Sequence, residues 1–127
     1  MSALVPPAIS TVSVIILTRG DRPTELHRAI TSAFAQLYVA VEVIVVGNGW
    51  RPVGLPAGVR TLHLDRNIGV GARNQGAALA TGEVFFFLDD DAWFADSDTL
   101  AKVVAAMVAR PRIGMLQTRI IDPAADA

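Results

Sequence analysis

Residues 64–92 read LDRNIGVGARNQGAALATGEVFFFLDDDA, and the architecture follows from this stretch. Val84 to Leu88 form a short, unbroken apolar run that stops on three consecutive aspartates, Asp89, Asp90 and Asp91. Such a run, bounded by turn residues, has the pattern of a strand covered on both faces of a parallel sheet, and it reads as the most buried strand of the chain. Ahead of it, between Gly69 and Thr81, the small residues Gly71, Ala72, Gly76, Ala77, Ala78 and Ala80 predict a helix with one bare face, able to come close to a sheet or a ligand. Gly82 ends that helix.

Working upstream, Val12 to Leu17 (VSVIIL) and Val41 to Val46 (VEVIVV) repeat the buried-strand pattern, the second stopping at Gly47-Asn48-Gly49. Between them Asp21 and Pro23 mark a helix start, and Leu26, Ala29, Ile30, Ala33, Phe34 and Leu37 recur at helical spacing. Gly54, Pro56 and Gly58 predict a loop before a shorter strand, Val59 to Leu64. Downstream, Ser97 or Asp96 is placed to cap a helix whose apolar stripe is Leu100, Val103, Val104, Met107 and Val108, with Pro111 as its stop. A last strand is expected over Ile113–Ile121. The alternation predicts an α/β fold: an open, mostly parallel sheet with helices on both faces and right-handed crossovers. It places one domain over residues 12–121, between an N-terminal tail, 1–11, and a polar, alanine-rich tail, 122–127.

The chain has 127 residues, the size of a single domain. Its 11 Lys and Arg nearly cancel its 12 Asp and Glu, which excludes a basic footprint for nucleic acid or a polybasic membrane patch and points to small ligands. Cysteine is absent, which rules out disulfides, thiolate metal sites and a cysteine nucleophile. Met1 to Thr11 lacks the basic start and apolar core of a signal peptide, and no apolar run nears the ~20 residues that span a bilayer. A cytoplasmic chain without a membrane segment is the expectation. Mean hydropathy is high, +0.43, so excess apolar surface is expected to need a partner or missing sequence to cover it, and a homo-oligomer or self-association is predicted.

In open α/β sheets ligands sit beyond the carboxyl ends of the strands. The residues there are Thr18 to Asp21, Gly47 to Gly49, Asp65 to Asn67 and the three aspartates. Adjacent carboxylates repel one another and need a cation beside a buried strand, and a divalent metal is the economical one. Alternation along an extended segment puts Asp89 and Asp91 on one face, with Asp90 turned away. Two hard oxygen ligands with open positions suit Mg²⁺ or Mn²⁺ shared with a diphosphate. The competing reading is a solvated acidic turn in which Asp89 and Asp91 cap backbone amides. Familiar phosphate motifs fail: Gly71 to Gly76 has P-loop spacing, but Ala77 and Ala78 replace the required Lys and Ser/Thr. Gly69-Val70-Gly71 begins a dinucleotide fingerprint whose third glycine is Asn74.

The same block resembles the central segment of the family-2 glycosyltransferases of the GT-A fold. Their pattern is Asn-x-Gly, Ala-Arg-Asn-x-Gly, Ala-x-Gly-Glu, an apolar strand and Asp-x-Asp. Asn67, Gly69, Ala72, Arg73, Asn74, Gly76, Ala80, Gly82, Glu83, Leu88, Asp89 and Asp91 match it in order. The opening strand and helix are similar too, through Leu26, Ile30, Ser32 and Gln36, so the likeness runs from Val12 to about Ile121. It implies a Rossmann-like nucleotide-diphospho-sugar-binding half, truncated before the acceptor-binding half that carries the general base. Asp91 would ligate Mg²⁺ or Mn²⁺ on the donor diphosphate, and Asp89 would hold the ribose or assist the metal. Thr18 would line the nucleoside pocket and Arg73 would reach base or phosphate, while Arg19, Asn48 and Asn67 complete the expected substrate-binding set.

Two positions depart from the pattern. The aspartate that ends the family's second strand and contacts the base is Gly47 here, which puts a uridine donor in question unless Asn48 or a carbonyl substitutes. The first strand closes on Thr18-Arg19-Gly20 rather than Thr-x-Asn, with Arg19 a candidate for phosphate. Asp96, Asp98, Asp122 and Asp126 read as caps, first-turn charges or tail residues, none as a base. His27 and His63 lack metal-ligand spacing and read as structural. Trp93 is placed to shield a donor, and Trp50 either stacks on the base or covers the core. Met107 and Met115 read as core. The function expected is donor binding for transfer of a sugar to an acceptor hydroxyl, by a chain too short to turn over alone. The alternatives are a non-catalytic nucleotide-sugar-binding or assembly module, and a nucleotidyltransferase, for which Thr18 to Asp21 supplies too few basic residues.

Overall fold

The computed structural model describes residues 10–126, so the expected N-terminal tail lies almost wholly outside the described residues. Four strands, β1 (Thr11–Thr18), β2 (Ala40–Asn48), β3 (Arg60–Leu64) and β4 (Val84–Asp89), form one sheet in the order β3-β2-β1-β4. All three pairings are parallel. Thr18, Asn48, Leu64 and Asp89, the last residues of the four strands, therefore share one edge of the sheet. Helices α1 (Pro23–Phe34), α2 (Ala72–Leu79) and α3 (Thr99–Ala109) cover the two faces, with α4 (Pro123–Asp126) after them. None of these helices is long and apolar enough to cross a membrane.

Strand alternation sorts the core into two layers. Val12, Val14 and Ile16 of β1, with Val43, Val45 and Leu88, pack against Leu26, Ala29, Ile30 and Ala33 of α1 and Leu100 and Val104 of α3. Ile15, Ile44 and Val46 face the other way, onto Ala72 and Ala77 of α2. A Cβ at Gly76 would stand 2.7 Å from Ile15 Cγ2 and 2.8 Å from Val46 Cγ2, so the bare helix face lets α2 lie directly on β1 and β2.

That seating explains one departure from the sequence reading. The VFFFL strand is the sheet edge, and Phe85 and Phe87 are 44% and 45% exposed, because α2 has only eight residues and sits over β1 and β2 rather than β4. The expected last strand, 113–121, also does not form: the segment has no regular secondary structure and pairs with no strand among the described residues. Met115 is 89% exposed and not core, while Met107 is half-buried. An apolar run becomes a strand only when a neighbour takes up its backbone N–H and C=O groups, and here none does. Part of the expected polar tail is α4, where Asp122 accepts the Ala124 N–H at 2.9 Å.

The cap of α3 also differs. Neither Ser97 nor Asp96 supplies it through a side chain. Instead the buried Gln36, just beyond α1, accepts the Leu100 N–H at 3.0 Å and donates to the Asp96 carbonyl at 2.7 Å. Ser32 Oγ accepts the Phe94 N–H at 3.0 Å. The end of α1 thus holds the whole segment that follows the aspartates, satisfying donors a helix start leaves unpaired.

At the opposite edge of the sheet, Glu42 is a hub that no sequence motif marks. Its carboxylate accepts from Ser13 Oγ at 2.6 Å, the Thr81 N–H at 2.9 Å, the Thr81 hydroxyl at 3.1 Å, and Arg60. Desolvation pushes this carboxyl up, but the bonds from Ser13, the Thr81 backbone, Arg60 and the Thr81 hydroxyl outweigh it and hold the group at about 2. Its contribution is therefore fully present above the ordinary value of 4.5 and is lost as pH falls from there toward about 2. Glu42→Gln is expected to cost about 2 kcal/mol at neutral pH, since bonds to an ionised acceptor are the stronger ones. Urea unfolding of both proteins should show the gap closing between those two pH values; a gap independent of pH would refute the assignment.

Candidate functional site

At the carboxyl edge of the sheet lies a cleft of ≈ 430 Å³. The residues named as the substrate- and metal-binding set line it: Thr18, Arg19, Asn48, Asn67, Arg73, Asp89 and Asp91; Trp50 and Trp93 do not. Leu17, Arg22, Gly69, Val70 and Asp90 line it as well, Arg22 and Asp90 being the charged ones.

The three aspartates are not arranged as alternation predicts. β4 ends at Asp89, and the next residues turn, closed by the Ala92 N–H donating to the Asp89 carbonyl at 3.0 Å. Beyond a strand's end the two-residue side-chain period no longer applies. Asp89 turns toward α2 and meets Arg73 at 3.0 Å, whereas Asp90 and Asp91 both meet Arg22, at 2.8 and 2.9 Å. Asp90 is buried, its side chain 6% exposed, and accepts from the Thr18 hydroxyl at 2.9 Å. Thr18 in turn accepts the Gly20 N–H at 3.0 Å, which ties the end of β1 to the acidic turn.

Arg73, expected to reach base or phosphate, is half-exposed and pairs with Asp89 of the same chain. The sequence signal that could have found Arg22 is simple: three adjacent acids demand cations, and Arg22 stands in the loop after β1, at the edge where they emerge. Arg19 is exposed and pairs with Asp21 at 3.1 Å.

The opposite wall is rigid. Asn48, buried at the end of β2, donates to Asn67 Oδ1 at 2.8 Å and to the Gly69 carbonyl at 3.1 Å, and accepts the Ile68 N–H at 2.9 Å. Asn67 Oδ1 also accepts the Gly69 N–H at 2.8 Å. Both donor protons of the Asn48 amide are thus engaged within the protein.

Gly47 has a structural cause. A Cβ at this position would lie 2.0 Å from the Trp50 carbonyl oxygen, so the loop after β2 folds back through the space an aspartate would need. The Trp50 ring lies over Gly20 and packs on the core layer beneath α1. Trp93 is stacked under Arg28, whose Cζ is 3.7 Å from the ring centroid, a cation–π contact. His27 is exposed on α1, and His63 Nδ1 lies 3.6 Å from Asp65.

The carboxylates of Asp89 and Asp91 are exposed hard oxygen donors on one cleft, the chemistry Mg²⁺ and Mn²⁺ prefer, so the residues fit such an ion. Among the described residues no group of three or more acidic, histidine or cysteine side chains is gathered to hold a metal alone.

Solved structures of S. aureus TarS share the fold. The structure of its residues 1–349 superposes with a TM-score of 0.64 at 21% identity, covering 80% of this chain and 33% of that one. A second TarS structure gives 0.63 at 22%, covering 78% and 20%. The 1–349 form in complex with UDP-GlcNAc gives 0.63 at 18%, covering 81% and 32%. The chain thus spans a third or less of the length of these structures. No curated protein matches the sequence. The sequence profile described as glycosyl transferase family 2 matches residues 13–125, which takes in the whole sheet but for its first two described residues and the entire cleft. With the parallel α/β sheet and the acidic turn at its carboxyl edge, that match means the chain belongs to glycosyl transferase family 2.

Proposed function

We propose that this chain is the donor-binding part of a metal-dependent glycosyltransferase, holding a nucleotide-diphosphate sugar whose sugar passes to an acceptor hydroxyl. The observation that carries this reading is the cleft itself, where Arg19, Arg22 and Arg73 stand among Asp89, Asp90 and Asp91 at the carboxyl edge of a parallel sheet. The complex of S. aureus TarS with UDP-GlcNAc supports a nucleotide-sugar donor. Family membership supports sugar transfer.

Asp91, assisted by Asp89, would hold Mg²⁺ or Mn²⁺. Bound there, such an ion would stabilise the charge that develops on a departing diphosphate. The remaining steps belong to the chain. Arg73, Arg22 and Arg19 supply positive charge to the diphosphate. The Asn48–Asn67 pair fixes the wall formed by residues 67–69. Thr18 positions Asp90 and, through it, Arg22. Asp96, Asp98 and Asp122 do not line the cleft, so none is assigned as the base that deprotonates the acceptor.

The test is calorimetric titration of uridine and guanosine diphosphates with Mn²⁺ present and withheld. Metal-dependent binding of at least one nucleotide is expected; metal-independent or absent binding across both would remove the proposal. Sugar transfer by this chain alone is not expected, and robust turnover in a transfer assay would place a base within it.

A further inference from the structure

Arg22 stands where a cation is needed and holds two carboxylates of unlike character. Its Nη2 lies 2.8 Å from Asp90 Oδ1, and its Nη1 lies 2.9 Å from Asp91 Oδ2. Asp90 is buried and fixed by Thr18, so that end of the bridge is anchored. Asp91 is 48% exposed at the cleft, and Arg22 itself is 47% exposed, so that end can be exchanged. Around the cleft as a whole three arginines balance three aspartates. A free divalent ion meets the arginines, and a free diphosphate meets the carboxylates, so each alone is opposed. A metal–diphosphate pair brings both signs and is opposed by neither.

Resting on the proposed donor reading, we infer that Arg22 couples metal to diphosphate. It occupies Asp91 while the cleft is empty, and on donor binding it releases Asp91 to the ion and turns its freed guanidinium N–H groups to the diphosphate, pivoting on Asp90. No bond is made or broken beyond these exchanges of ion-pair partners. The consequence is that the two ligands strengthen one another through Arg22, and that its loss moves their separate affinities in opposite directions. A residue serving the fold alone would weaken both.

The experiment measures Mn²⁺ binding without nucleotide by electron paramagnetic resonance of the free ion, and UDP binding by calorimetry with and without Mn²⁺. Arg22→Gln is expected to bind Mn²⁺ alone about tenfold more tightly and UDP alone about tenfold more weakly, shrinking the coupling by a like factor. Arg22→Lys keeps the charge but cannot span two carboxylates, so it should tighten Mn²⁺ while retaining UDP binding. Circular dichroism melting of both variants reports whether they fold. Unchanged or weaker Mn²⁺ binding in folded Arg22→Gln, or in Arg22→Lys should the first variant not fold, overturns the inference. If wild-type protein shows no metal-dependent UDP or GDP binding while Arg22→Gln still tightens Mn²⁺, the donor reading fails and the arginine bridge stands. If wild type binds metal and nucleotide together but neither variant tightens Mn²⁺, only the bridge fails.

Discussion

Gly47→Asp, which installs the aspartate that the family resemblance leads one to expect at the end of the second strand, should unfold this protein sooner rather than improve its grip on a nucleobase. The glycine is buried, and any Cβ there would stand 2.0 Å from the Trp50 carbonyl oxygen and 2.9 Å from Pro52 Cδ. Both obstacles belong to a loop that runs straight back over the strand end, so neither can swing away as the tip of a flexible side chain would. The carboxylate would also arrive without a positioned donor, since the Asn48 amide protons already serve Asn67 and Gly69. Overpacking and an unpaired buried charge together should cost about 3–5 kcal/mol. In a domain this size that lowers the melting temperature by on the order of 15 °C or more. Gly47→Ala should already show most of the loss, because the clash begins at Cβ. Gly71→Ala is the control: its φ is −58° and a Cβ there meets nothing, so it should be neutral or slightly stabilising. A Gly47→Asp protein melting with the wild type would show that the loop after β2 takes another path.

Asp91→Ala carries the second large effect. Asp91 is the exposed carboxylate that meets Arg22 in an exchangeable contact, and it is the residue proposed to take the metal. Removing it should abolish the gain in nucleoside diphosphate affinity that Mn²⁺ provides, a loss of about 100-fold, near the upper end of ordinary couplings between two ligands. Stability should hardly change, because an exposed ion pair contributes little. Asp90→Ala should do the reverse. It strips the Thr18 hydroxyl of its acceptor and Arg22 of its anchor, so the melting temperature falls while Asp91 remains available. Asp89→Ala releases Arg73 and should weaken diphosphate binding less than Asp91→Ala does. Calorimetry and melting on the three variants separate these roles. If Asp90→Ala loses the metal effect and Asp91→Ala retains it, the metal position belongs to the buried carboxylate.

Much of this was legible in the residues, and the places where it was not have a common cause. The runs from Val12, Val41 and Val84 became β1, β2 and β4, and the small-residue stretch after Gly69 became α2, since each pattern states its own local geometry. The stretch from Ile113 to Ile121 reads as a strand and forms none, because strand formation is settled by a second segment elsewhere. Phe85 and Phe87 misled in the same way. Their apolar character says they resist water, but whether a helix reaches them depends on the length and seating of α2.

The sequence by itself determined that a parallel sheet would gather Thr18, Asn48 and Asp89 at one edge, because hydrophobic periodicity is a local property and the ends of parallel strands necessarily point the same way. Only the tertiary structure decided which cation meets which carboxylate, that Gln36 caps a helix 64 residues further on, and that Gly47 yields its space to the Trp50 carbonyl. Ion pairs, caps and clashes act over a few ångströms between segments far apart in the chain, and such distances exist only once the layers have packed.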